Sequence, residues 1–191
     1  RDLQELSKEG ICKKVYGGAV LQLADAGTFI SREQQNHAKK EQIAQKAATL
    51  VKAGSCLFMD TGTTNLALAR ALPADLALTV VTNSPAIAAE LLRHPLCEVI
   101  ITGGQIQRAS GGTVDSTATR QIQGMIFDQA FIGGCAMDPE MGLTGFDFAD
   151  CAFKKAVIAQ SNQTLVALTT DKIPGVARFV VATCSDIDVL V

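Results

Sequence analysis

Short apolar runs alternate with longer amphipathic stretches over most of the chain, and the two periods assign its elements. Residues 56–59, 78–81, 98–101, 129–132 and 164–168 are largely apolar runs of four or five residues. Bounded by Gly, Asn, Asp and Thr turns, they read as strands buried on both faces of a parallel sheet. Between them, residues 37–52, 63–72, 85–92, 116–125 and 149–161 follow the longer helical repeat, with Ile43, Ala47, Leu50 and Val51 on one face of the first. Residues 179–182 and 189–191 read as late strands. The expected fold is therefore α/β, a mostly parallel sheet with helices on both faces.

The first thirty-six residues follow a different pattern. Residues 1–10 read as the back half of a helix, with Leu3 and Leu6 on one face and Gly10 as a stop. Residues 11–16 suit a strand, and Gly17-Gly18-Ala19-Val20-Leu21 suits a tight turn with a return strand. Alone, a helix and a hairpin bury very little, so they read as a fragment of a larger module. Residues 22–36 are polar and irregular, as a linker would be.

Composition narrows the function classes. The 191 residues carry 48% hydrophobic positions and a formal net charge of −2, ordinary values for a folded core. No apolar run approaches the roughly 20 residues of a membrane span, and the reading is a cytoplasmic protein. A sequence pI near 5.7 argues against a large basic surface, so nucleic-acid contact is not expected from most of the chain. Cys12, Cys56, Cys97, Cys135, Cys151 and Cys184 are scattered without ligand spacing, and read as small core residues. His37 and His94 read as surface residues. No metal site, cofactor or catalytic set is implied.

The richest stretch for chemistry is residues 56–72. An apolar strand runs into Asp60-Thr61-Gly62-Thr63-Thr64, and a helix free of Gly and Pro follows. That layout points unpaired N–H groups and the positive end of a helix dipole at one spot, where a phosphate would sit. The alternative is a plain βα turn with a Thr cap and no ligand. Thr82-Asn83-Ser84, Gly103-Gly104 and Gly133-Gly134 end other strands in the same manner. In open α/β sheets ligands bind beyond the carboxyl ends of the strands, so these convergent turns favour a small polar ligand. Neither Gly-x-Gly-x-x-Gly after the first strand nor a Walker loop is present.

Taken together, these motifs resemble the DeoR family of bacterial transcriptional repressors over essentially the whole chain. Leu3…Leu6…Gly10 followed by Lys13-Lys14-Val15-Tyr16-Gly17-Gly18 is similar to the family's recognition-helix end and wing. Asp60-x-Gly-Thr-Thr, Thr82-Asn83-Ser84, Gly103-Gly104, Asp128-x-Ala-Phe-Ile-Gly, Gly142-Leu-Thr and Ser185-Asp-Ile-Asp are similar to its effector-domain turns. The resemblance implies a winged helix-turn-helix remnant (residues 1–21), a linker (22–36) and a sensor domain related in fold to ribose-5-phosphate isomerase (37–191). It implies release of operator DNA on binding a phosphorylated sugar. The phosphate would lie on Asp60, Thr61, Gly62, Thr63 and Thr64, with Thr82, Asn83, Ser84, Gly103 and Gly104 lining the sugar and Lys154 and Lys172 nearby. Arg1, Lys13 and Lys14 would touch DNA phosphates, and a homodimer or homotetramer would mirror the operator.

The chain departs from the family pattern at four places. Cys135 replaces an acidic residue, Asp150 stands where Glu is usual, Asp115 replaces a glycine, and the loop at Thr170-Asp171-Lys172-Ile173 is contracted. Two other functions remain open on the residues: a sugar-phosphate isomerase on the same scaffold, or a ligand-independent dimerising scaffold. The residues of the recognition helix that reach base edges are expected to precede Arg1. This polypeptide is therefore expected not to retard operator DNA in an electrophoretic assay at submicromolar concentration, and a specific shift there would refute the assignment of residues 1–21.

Overall fold

The computed structural model of the chain describes residues 3–8, 12–15, 18–21 and 27–191. The first of these form helix α1 (Leu3–Lys8) and a hairpin in which β1 (Cys12–Val15) pairs antiparallel with β2 (Gly18–Leu21). Arg1 and residues 22–26 lie outside the described residues, and so do the side chains of Lys13 and Lys14.

The stretch expected to be irregular contains a helix, α2 (Phe29–Glu33). Thr28 makes it possible: its Oγ1 accepts from the Ser31 N–H at 3.2 Å and so satisfies one of the first-turn donors. Helix α3 (His37–Ala48) follows, then β3 (Cys56–Met59), α4 (Thr63–Ala71), β4 (Leu78–Thr82), α5 (Pro85–Leu91) and β5 (Cys97–Ile101). A small hairpin, β6 (Ile106–Gln107) with β7 (Gly112–Thr113), precedes α6 (Ser116–Ile122) and β8 (Gln129–Ile132). The chain continues through β9 (Ala136–Asp138), β10 (Gly142–Gly145), α7 (Phe148–Ala159), β11 (Thr164–Val166), β12 (Phe179–Ala182) and β13 (Val189–Leu190).

Six strands form one sheet in the order β13-β11-β8-β3-β4-β5, every neighbouring pair parallel. The alternation of β3 divides the core in two, because successive side chains point to opposite faces. Leu57 and Met59 join Ala44 and Ala47 of α3, Leu66 and Leu68 of α4, and Ile87 and Leu91 of α5. Phe58 joins Ala118 and Ile122 of α6 and Phe153 and Val157 of α7 on the other face. The expected parallel sheet with helices on both faces is what forms.

A second sheet was not anticipated. Strands β9, β10 and β12 pair antiparallel in the order β12-β10-β9, so residues 179–182 leave the main sheet. These strands are three or four residues long, and Gly142-Leu143-Thr144-Gly145 reads as a loop when taken alone. Gly142 has φ +73°, and a Cβ there would collide with the Ala182 carbonyl, so the pairing itself selects glycine.

Phe58 is fully buried, with its ring centroid 5.3 Å from that of Phe127 and 5.8 Å from that of Phe153. Phe58→Ala is expected to lower the unfolding free energy by about 3–5 kcal/mol, measured by urea denaturation. A loss below about 1 kcal/mol would contradict the packing described.

Candidate functional site

The apolar run of β3 ends at Asp60, in the middle of the parallel sheet. Its carboxyl group has no exposure; Oδ2 accepts the Gly133 N–H at 2.9 Å and lies 3.5 Å from Lys154 Nζ. Lys154, on α7, also donates to Asp150 Oδ2 one helical turn earlier. Burial pushes the Asp60 carboxyl up to about 7, with the Lys154 charge opposing and the Asp150 charge reinforcing that shift. Burial would pull the Lys154 ammonium down, but the carboxylates of Asp150 and Asp60 hold it above its ordinary value.

The turn that follows is clamped from both sides. The Thr61 N–H donates to Asn83 Oδ1 at 2.8 Å, and Thr61 Oγ1 donates to the Ser110 carbonyl at 3.0 Å. Asn65 Nδ2 donates to the carbonyls of Asp60 (2.8 Å) and Phe131 (2.9 Å). Gly62, at φ +154°, enters α4 without a side-chain cap. The first helical bond inside α4 runs from the Leu66 N–H to the Gly62 carbonyl at 2.9 Å. The earlier first-turn N–H groups, with the positive end of the dipole, therefore face away from the helix.

They face a cavity of about 540 Å³. Arg32, Lys40, Lys154 and Lys172 line it together with residues 61–65. Arg32 donates to the carbonyls of Gly27 (2.8 Å) and Ser110 (3.4 Å); Lys40 donates to the Arg32 carbonyl. Lys172 Nζ donates to the Gly134 carbonyl at 2.8 Å. Among the described residues, Lys154 alone of the four is ion-paired. Burial, then the charges of Lys172 and Arg32, pull the Lys40 ammonium down. Burial likewise lowers Lys172, with Arg32 and Lys154 adding to it and Cys135 and Asp171 opposing. Cations crowded to this degree gain from an anion placed among them.

The structure gathers only part of the residues selected from sequence. Thr61, Gly62, Thr63, Thr64, Lys154 and Lys172 line the cavity, and Asp60 lies beneath it. Thr82, Asn83 and Ser84 are fully buried outside it. Thr82 Oγ1 donates to the Met59 carbonyl at 2.6 Å, Asn83 clamps Thr61 and the Thr113 carbonyl, and Ser84 caps α5. Gly103 and Gly104 are exposed and also outside the cavity; Gly103 N–H donates to Gln121 Oε1 at 3.0 Å. Asp115 caps α6 and accepts the Gln105 N–H, so this departure is architectural, whereas Cys135 and Asp150 do line the cavity. Of the five cysteines whose side chains are described, Cys151 is buried and Cys56 and Cys97 pack half-buried against the core, whereas Cys135 lines the cavity and Cys184 is exposed, so the core reading holds for only part of them.

Arg32, Lys40, Gln107 and Ser110 were not selected from sequence. Lys40 had a visible signal: it shares the buried stripe of α3 with Ala44 and Ala47, where a lysine is unexpected. Arg32 and the residues around Ser110 had none, because each lies in a short segment placed by long-range contacts.

Residues 35–191 match the family model described as the DeoR C terminal sensor domain. The chain is 32% identical to the HTH-type transcriptional regulator GolR of Listeria innocua, a match covering 100% of this chain and 76% of that protein. It is 30% identical to the glycerol-3-phosphate regulon repressor of Escherichia coli over 90% of this chain and 69% of that protein. Among solved structures, ribose 5-phosphate isomerase A of Methanocaldococcus jannaschii aligns with a TM-score of 0.53 at 17% identity, over 72% of this chain. The chain spans 55% of the length of that isomerase, and the likeness is one of fold.

The buried Asp60 carboxyl sets a pH dependence. Its folded value is raised, so the stability contributed by its protonated form is complete below about pH 4, the ordinary range of the unfolded group. That contribution is lost as pH rises toward about 7. Wild-type protein is therefore expected to lose stability relative to Asp60→Asn between pH 5 and pH 8 in urea titrations. A constant difference would show that Asp60 is not raised.

Proposed function

Because this chain belongs to the DeoR family of transcriptional regulators, we propose that it senses a phosphorylated sugar and that the regulator represses transcription until that sugar binds. The observation that carries this reading is the cavity, where the first turn of α4 meets Arg32, Lys40 and Lys172. Outward N–H groups, the hydroxyls of Thr63 and Thr64 and three cations with no ion-pair partner among the described residues suit a dianionic phosphate. In this reading residues 37–191 form the sensing domain. Residues 1–21 end a winged helix-turn-helix, with Arg1, Lys13 and Lys14 against backbone phosphates. Residues 22–36 join the two, and α2 within them contributes Arg32 to the cavity wall.

Phosphate binding would then act through α2. An anion held by Arg32 and Lys40 biases how α2 is seated, and the chain just before α2 leads to the DNA-binding module. Coupling of this kind is reciprocal: operator DNA must weaken ligand binding by the same factor that ligand weakens operator binding. Two copies of the chain would face a two-fold operator. The relatives named as transcriptional regulators favour a sensor over an isomerase on the same scaffold.

The test is a thermal-shift screen of phosphorylated sugars, each beside its unphosphorylated parent. Glycerol 3-phosphate is the first probe, because one relative's regulon carries its name. A ligand at a hundred times its Kd adds about 2.7 kcal/mol, which for a chain of this size is a rise of roughly 5–10 °C. The expected result is a rise with a phosphate ester, none with its parent, and ligand recovered chemically unchanged. A flat response across the panel would reject the sensor reading, and conversion of the ligand would make the chain an enzyme.

A further inference from the structure

The cavity offers more than cations. Four buried side-chain oxygens or nitrogens among the described residues lack a hydrogen-bond partner, and all four are acceptor oxygens. Two of them, Asp150 Oδ1 and Gln107 Oε1, belong to residues that line the cavity. Asp150 is only 5% exposed, and its other oxygen is held by Lys154. A dianionic phosphate ester cannot satisfy either atom through its phosphoryl oxygens, which are acceptors only. What these atoms need is a donor, and a sugar hydroxyl is one.

Their placement follows from the sheet order. Gln107 sits on the β6–β7 hairpin, which leans on the β4 side of the β3 turn: the Thr113 N–H donates to the Asn83 carbonyl at 2.9 Å. Ser110, in the turn of that hairpin, accepts from Thr61 and Arg32. Asp150 stands on the β8 side, tied through Lys154 to Asp60, whose Oδ2 takes the Gly133 N–H. The two acceptors therefore flank the Thr61–Thr64 turn from opposite sides.

Resting on the phosphate reading above, we propose that Asp150 Oδ1 and Gln107 Oε1 are the specificity-determining acceptors of the cavity. The ligand is then a phosphate ester with at least two free hydroxyls, one donated to each acceptor. An alkyl phosphate would fill the anion position and leave both acceptors buried and unpaired. Discrimination of this kind is strong, because a site built to bond a hydroxyl penalises the analogue that lacks it.

The test is calorimetric titration of this chain with glycerol 3-phosphate, ribose 5-phosphate and fructose 6-phosphate. Beside them run n-propyl, n-pentyl and n-hexyl phosphate, with inorganic phosphate as the common reference. The best hydroxylated ester is expected to bind at least about thirty-fold tighter than the alkyl phosphate of the same carbon count. Asp150→Asn removes a negative charge felt by every anion in the cavity, so the reading is the ratio: the ester is expected to lose on the order of ten-fold relative to inorganic phosphate. Gln107→Met, a partly exposed position away from the Lys154 cluster, gives the same contrast should Asp150→Asn not fold. Equal binding of hydroxylated and alkyl phosphates, or equal losses for ester and inorganic phosphate in the variants, would overturn the proposal and leave the phosphate reading standing. Absence of binding by every phosphate, inorganic phosphate included at millimolar concentration, would overturn both.

Discussion

Asp60 closes the central strand of the sheet with a carboxyl group that water does not reach, and much of the surrounding architecture exists to make that tolerable. A buried carboxyl is stable only with compensating partners. Here the Gly133 N–H comes from the neighbouring strand β8, and the Lys154 ammonium comes from α7. Lys154 is itself buried, and Asp150 compensates it in turn. The three charges thus fix α7 against the carboxyl end of the sheet. Losing one partner of such a cluster typically costs about 3–5 kcal/mol, because the remaining charges stay buried. Asn65 and Asn83 extend the clamp to the main chain of the turn, so that the start of α4 is held in place before any ligand arrives.

Against this fixed turn stands a set of cations drawn from parts of the chain far apart in sequence. Arg32 comes from α2, Lys40 from α3 and Lys172 from a single 3-10 turn after β11. Burial, reinforced by the neighbouring positive charges, depresses the Lys40 and Lys172 ammonium groups. In the proposed reading an anion relieves this electrostatic cost, and such a differential is what a ligand needs to shift an equilibrium between two states. Phe29 adds a mechanical link, since its ring lies against Gly111 in the hairpin whose Ser110 carbonyl takes the Arg32 guanidinium.

Regulators and an isomerase share this scaffold, and the contrast shows how little the sheet itself decides. The residues that differ from the family pattern divide by location. Asp115 serves a helix terminus and supports the Gly103–Gly104 turn from below, with its carboxyl held under the usual carboxylate range by the Gln105 and Ala118 N–H groups. Cys135 and Asp150 face the cavity, where a changed side chain alters what can be bound.

The periods of hydrophobic and polar residues determined the fold class, because a strand buried on both faces and an amphipathic helix each leave a local signature. Cys56–Met59 and Gln129–Ile132 were legible to the residue for that reason, and the Asp60–Thr64 turn was legible because its geometry is local. The short strands β9 and β10 were not, since they are defined by their pairing, and Gly142 of β10 is selected by Ala182 on the strand beside it, forty residues away. Thr82, Asn83, Ser84 and the Gly103–Gly104 pair carry the same residue types as a ligand site, and only their tertiary partners show that they brace the turn or cap a helix. The sequence by itself therefore determined the main sheet, the helices that cover it and one turn whose free N–H groups face the cavity. The tertiary structure alone decided which charges meet at that turn, because no local rule brings Arg32, Lys40, Asp150 and Lys172 to one cavity.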